Sequence, residues 1–195
     1  SAGDDDSAGD DDSAGDDDDS AMAVQPGDVL ITEFQKNPSG TDQWREWIEV
    51  YNATGSDLDL QGWILTDLGS DHHVINAPLV VAAWGFAVLG ETLDPLQNLG
   101  IPVDYAYGDT GFTLTNADDE IQLSAPDGVL IDEVAYTNST FPNPASASIS
   151  LDPSAFDAAE NDLGSNWCAS TAGTFSTAPD LGSPGEPNPP CFTGP

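Results

Sequence analysis

The 195-residue chain carries 35 aspartates and glutamates against two basic side chains, Lys36 and Arg45, for a formal net charge of -33. Nucleic acid is excluded as a partner, because binding it needs lysines and arginines to neutralise phosphates, and an anionic membrane surface is disfavoured for the same reason. No apolar run approaches the roughly eighteen residues that cross a bilayer, so no membrane-spanning segment is expected; divalent cations, basic proteins or a salty exterior suit this charge better.

The chain opens on copies of Ser-Ala-Gly-Asp-Asp-Asp that hold ten aspartates and no large apolar side chain. Self-repelling charge with nothing to bury makes residues 1–26 an extended, solvated, low-complexity spacer. Calcium (Ca2+) is the cation its carboxylates would take, yet the helix-loop-helix calcium pattern fails. Counted from Asp4 or Asp10, its fifth position falls on Ala8 or Ala14 and its twelfth on Gly15 or Ala21. The chain starts Ser-Ala-Gly with no signal peptide in view, the form expected of a processed or truncated product.

Periodic sequence begins at Asp28. Leu30, Thr32 and Phe34 fall on one face of a strand and Val29 and Ile31 on the other, until Asn37-Pro38-Ser39-Gly40 stops it. From Glu46 to Asp67 the pattern is that of a hairpin. Trp47, Glu49 and Tyr51 alternate with Ile48 and Val50, a polar turn runs through Ala53 to Ser56, and Leu58, Leu60 and Trp63 to Leu65 form the return. Gly69 to His73 reads as a polar loop. Its Asp71, His72 and His73 have the chemistry of a metal or acid/base cluster, but neighbours along a strand point apart and no third histidine or nearby cysteine completes a site. They are therefore read as exposed, with no metal and no cofactor.

Two short runs follow, around Leu79 to Val81 and Phe86 to Leu89, and then a long loop over one end of the domain from Asp94 to Asp109. Phe112 to Thr115 and Glu120 to Ser124 flank an acidic turn as a second hairpin. Pro126-Asp127-Gly128 turns the chain into Val129 to Tyr136, where a phase change in the apolar residues marks a bulge. Ser146 to Leu151 gives one more strand, and the remainder reads as coil packed on the domain by Trp167 and Phe175. Seven or more short strands without a helical period argue for two packed antiparallel sheets.

Cys168 and Cys191 stand in the Pro/Gly-rich C-terminal region, which has little apolar pattern to hold it. A disulfide between them is predicted, worth about 3 kcal/mol in the chain-entropy model, and with it an oxidising compartment. Carboxylate pairs of glycosidic spacing can always be found among so many acids, so they decide nothing. Trp44, Trp47, Trp63 and Trp84 would serve as aromatic subsites, but Trp47 and Trp63 lie in strand patterns and belong to the core. With no nucleophile elbow, phosphate loop or zinc helix motif, the chain is not read as an enzyme.

The order and spacing of Ile31-Thr-Glu-Phe34, Asn37-Pro38, Glu46-Trp-Ile-Glu-Val-Tyr-Asn52, Gly62-Trp-Ile-Leu65, Gly85-Phe-Ala-Val-Leu-Gly90, Phe112 to Asn116, Asp127-Gly128, Asp132, Tyr136, Trp167 and Ser183-Pro-Gly-Glu-Pro-Asn188 resemble the lamin tail domain. The resemblance implies an all-β fold, an immunoglobulin-like antiparallel β-sandwich, here with an extended acidic N-terminal tail. On that reading residues 27–190 form the sandwich and residues 191–195 a C-terminal tail. The family often carries Ser-x-x-Arg before the Trp region, whereas here Ser148 is followed by Leu151, so any ion pair of that arginine is absent.

The resemblance also implies a non-catalytic module at the outer cell surface or outside the cell. It would bind a protein or surface polymer, or polymerise with itself by adding the N-terminal extension or first strand to an open sheet edge. The acidic tract is similar to the spacer of bacterial surface lipoproteins, which implies a lipid anchor upstream of Ser1. A calcium-dependent carbohydrate-binding module, or an accessory domain of a secreted hydrolase, is the alternative. Asn52-Ala-Thr54 and Asn138-Ser-Thr140 match the glycosylation sequon, accidentally so in a bacterial host.

Overall fold

The structure, a computed structural model, describes residues 23–108, 111–177 and 179–191. Its strands are β1 (Val29–Gln35), β2 (Trp47–Asn52), β3 (Leu58–Asp59), β4 (Ile64–Thr66), β5 (His72–Val74), β6 (Val80–Val81), β7 (Phe86–Gly90), β8 (Tyr105–Ala106), β9 (Asp119–Ser124), β10 (Leu130–Tyr136), β11 (Ile149–Leu151) and β12 (Trp167–Ala169). They form a six-stranded sheet in the order β12-β11-β1-β2-β7-β8, a four-stranded sheet in the order β10-β9-β4-β5, and a small β3-β6 ribbon. Every pairing is antiparallel except β7 with β8. The two larger sheets pack as a β-sandwich of the immunoglobulin-like kind, with only two 3-10 turns, Pro153–Ala155 and Gly164–Asn166, as helical structure among the described residues.

The core lies between the sheets. From the six-stranded side it takes Val29, Ile31, Phe34, Ile48, Val50 and Leu89, and from the other Leu65, Ile121, Leu123, Val134 and Tyr136. Phe34 stacks on Tyr136 at 4.9 Å between ring centroids and meets Trp167 edge-on at 5.4 Å, so the aromatic centre joins both sheets and the C-terminal edge strand. The strict alternation expected for β1 is broken. Its register against β2 shifts between Ile31 and Glu33, which puts Phe34 opposite Ile48 and Glu33 opposite Glu49. Because of this bulge at Thr32, Phe34 shares the core face with Val29 and Ile31 instead of the face of Leu30. The bulge expected in β10 is present too, between Leu130 and Asp132.

The expected central hairpin does not form. β2 pairs with β1 and β7, whereas β4 pairs with β5 and β9, so Leu58 to Trp63 carries the chain from one sheet to the other. Nor is Phe112 to Thr115 a strand. Its successive amides Thr113, Leu114 and Thr115 donate to the carboxylates of Asp71, Glu46 and Asp119 at 2.8, 3.0 and 2.7 Å, which replace a strand partner and free the segment from a ladder. Trp167 opens an edge strand where coil was expected, and the Gly69–His73 loop ends in β5.

The outer face of the six-stranded sheet is covered as well. Trp47, Val88 and Ile101 make a second cluster joined by Val103 and Phe175, and Phe175 meets Trp47 edge-on at 5.6 Å. Further along the sheet, Phe156 packs against Tyr51 and Phe86. All seven residues of β1 are buried, because loops and the C-terminal segment close the face that strand alternation would leave to water.

Candidate functional site

The densest polar constellation lies under that C-terminal segment. The β1 bulge sets Glu33 and Glu49 side by side on the outer face, both fully buried. The Glu33 carboxylate accepts hydrogen bonds from the hydroxyls of Ser148, Ser150 (3.0 Å) and Ser183 (2.9 Å) and from the Ser183 amide (3.1 Å). Glu49 accepts from the Thr32 hydroxyl at 2.8 Å and the Gly185 amide at 2.8 Å. Asn188 completes the clamp by donating to the carbonyls of Thr32 and Leu151 at 2.8 and 3.1 Å. Two strand carboxylates and one amide thus hold Ser183 to Asn188 on the sheet, and the Cys168–Cys191 disulfide, 23 residues apart, fastens the segment's end to β12. Burial raises the pKa of both glutamates; for Glu49 the neighbouring Glu33 charge raises it further. The pair resists full ionisation, and its oxygens face donors of the chain itself.

Other buried acids do the same work. Asp132 accepts from the Ile31 amide at 2.6 Å and from Asn161 at 2.7 Å, tying β10 to β1, and burial pushes its pKa up to about 7. Glu46 accepts from the Leu114 amide, and burial, with nearby Glu91, Asp42 and Asp119, pushes it up to about 8.

Lys36, one of the two cations, is 2% exposed. Its ammonium donates to the carbonyls of Asn116 and Ala117 at 3.1 and 3.3 Å and to the side-chain oxygen of Asn138 at 2.7 Å, and lies 4.8 Å from the centroid of the Tyr136 ring. Burial lowers its pKa, against the opposing pull of Asp118 and Asp119.

Asp71, His72 and His73 do not converge. Asp71 Oδ2 accepts from the Thr113 amide and hydroxyl, both at 2.8 Å. His73 Nε2 lies 2.7 Å from the Tyr105 hydroxyl, and burial, with His72, lowers its pKa. His72 is exposed on the edge strand. Among the described residues no three His, Cys, Asp or Glu are grouped so as to hold a metal ion; the acidic repeat lies outside the described residues. Of the tryptophans weighed as subsites, Trp47 and Trp63 are buried, while Trp84 is 60% exposed on a loop. Asn52 is buried, its amide donating to the carbonyls of Ser56, Val81 and Ala82, which closes that sequon to modification.

The lamin tail domain family model matches residues 23–138. The chain belongs to that family. No curated protein matches it. Lamin tail domains are non-catalytic, immunoglobulin-like interaction domains, and the sandwich described above is of that kind. In this lamin tail domain the partners of Glu33 on Ser148, Ser150 and Ser183, and the partner of Glu49 on Gly185, lie beyond the matched span. Alternation alone conceals Glu33 and Glu49, since alternating acids read as a solvent face. The one signal for them was the turn-rich Ser183 to Asn188 run, which needs a surface to lie on.

Proposed function

We propose that this domain is a non-catalytic interaction module displayed outside the cell or on its outer surface, carried on the acidic repeat as a spacer, and recognising a protein or surface polymer through its exterior. One observation carries the reading. The buried ionisable side chains, among them Glu33, Lys36, Glu46, Glu49, Asp132 and Asp180, hydrogen-bond the chain's own backbone, hydroxyls and amides. They hold loops in place, which leaves the charged exterior and the sheet edges for partners. The disulfide supports an oxidising location. Self-assembly by strand addition is the mode the sheet edges favour. β1 lies between β11 and β2 and would have to leave the sheet to act as donor, so the donor this reading favours is the residues before Ala23; of the sheet edges, β10 is the longest, seven residues, with its Ile131 carbonyl already taken by the Gly27 amide at 2.9 Å.

Light scattering and electron microscopy of the full chain, and of a chain starting at Ala23, test this. Fibres lost on truncation support assembly; monomers in both, with retention on a protein or surface polymer, support the module acting singly. Chelator-sensitive melting with glycan retention replaces the proposal by a calcium-dependent carbohydrate-binding module, and turnover on a panel of glycosidic and ester substrates overturns it.

A further inference from the structure

We propose that Lys36 and Asn138 join in an intramolecular isopeptide bond that covalently links the two sheets. Lys36 directly follows β1, in the six-stranded sheet, and Asn138 stands just beyond β10, in the four-stranded sheet. The two are 102 residues apart in sequence, yet the lysine nitrogen is 2.7 Å from the asparagine side-chain oxygen. Both groups are held. The Asn138 amide donates to the Asn116 carbonyl at 3.1 Å, and its backbone N–H to Asp118 Oδ1 at 3.1 Å. Lys36 is packed against Tyr136 and donates to the neutral oxygens of Asn116, Ala117 and Asn138. Holding the buried amine in contact with the carboxamide converts a bimolecular aminolysis into an intramolecular one.

The step balances without any further reagent. Lys36 gives up a proton and its nitrogen attacks Cγ of Asn138, forming the Nζ–Cγ bond. The Cγ–Nδ2 bond breaks as Nδ2 is protonated, and ammonia leaves. The lysine ammonium and the carboxamide become a secondary amide and an ammonium ion. Burial that favours the neutral amine assists the attack; Asp118, which acts electrostatically on Lys36 and accepts from the Asn138 backbone N–H at 3.1 Å, is the acid assigned the proton transfer, and Asp119 is the other acid acting on Lys36. Lys36 is the chain's only lysine, so the product is unique.

Intact mass spectrometry of the reduced full-length chain, followed by cleavage at acidic residues, tests this. The expected mass is one ammonia below that of the sequence, with a branched peptide joining the segments around Lys36 and Asn138. Lys36→Arg and Asn138→Ala restore the full mass, and Asp118→Ala lowers the cross-linked fraction while leaving the melt cooperative. A wild-type chain of full mass overturns the proposal. So does an ammonia loss that persists in Lys36→Arg, which would instead be cyclisation at Asn138-Ser139. Should a variant fail to fold, the presence or absence of the branched peptide in the wild-type digest decides alone.

Discussion

Mild acid should stabilise this domain. Glu46 and Asp132 ionise at about 8 and about 7 in the folded chain, against 4.5 and 3.8 as ordinary carboxylates, and Glu33 and Glu49 are shifted the same way. A folded-state pKa above the unfolded one means the native state binds more protons. Stability from these groups is therefore complete below the ordinary carboxylate range and is lost as pH rises through the folded values. Within its window each group gives a slope of about 1.4 kcal/mol per pH unit. Asp132 and Glu46 alone thus remove about 5 kcal/mol between about pH 5 and pH 7. At roughly 2–4 °C per kcal/mol for a domain of this size, that is a melting-temperature difference of about 10–20 °C. Scanning calorimetry from pH 5 to pH 8.5 at fixed ionic strength reads it. Asp132→Asn and Glu46→Gln should each flatten the profile, since an amide keeps the shape and loses the titration. A melting temperature that is level or falls on acidification from pH 8 to pH 5.5 would refute the reasoning.

Other changes probe the cover of the outer face. Replacing Cys168 and Cys191 by serine should cost about 3 kcal/mol and raise hydrogen exchange first at Ser183 to Asn188, leaving β1 protected; uniform exchange would show that the disulfide does not hold that segment. Asn188→Ala strands two backbone carbonyls, Thr32 and Leu151, and should cost about 2–4 kcal/mol by denaturant unfolding. Gln35 behaves in the opposite sense: neither end of its buried amide has a hydrogen-bond partner among the described residues. Gln35→Leu should therefore leave stability unchanged or raise it by about 1 kcal/mol, and a loss would reveal an internal water or other partner satisfying that amide. Phe175→Ala removes the half-buried ring against Trp47 and should shift tryptophan emission to the red, with a loss of about 1–2 kcal/mol.

Strand positions were legible in the sequence because alternation and turn chemistry are local. Pairing was not. Glu46 to Asp67 reads as a hairpin because two apolar runs flank a polar turn, but a short link serves equally well to change sheets, and only β7 and β9 as competing partners decide between the two. The bulge at Thr32 left no local mark, yet it reverses which face carries Phe34 and sets Glu33 against Glu49. The disulfide was readable from where the cysteines lie. Lys36 meeting Asn138 was not, because the contact depends on the docking of the sheets.

The acidity itself has an architectural part. Backbone N–H groups that no ladder reaches are taken by carboxylates at Leu79 (Asp59), Ala83 (Asp57), Val88 (Asp104), Ser39 (Asp180) and Cys191 (Asp152), besides those at Ile31, Thr113, Leu114, Thr115, Ser183 and Gly185. A sandwich of short strands joined by long loops leaves many such amides, and burying one unpaired costs about 1–3 kcal/mol. An ionised carboxylate accepts from several amides at once, which a neutral amide or hydroxyl does less strongly. Each carboxylate also carries charge into a chain with almost no cations, and the most buried of them resist ionisation. Repulsion and desolvation therefore limit how deeply this device can be used, and the same acids that order the loops make the domain sensitive to pH.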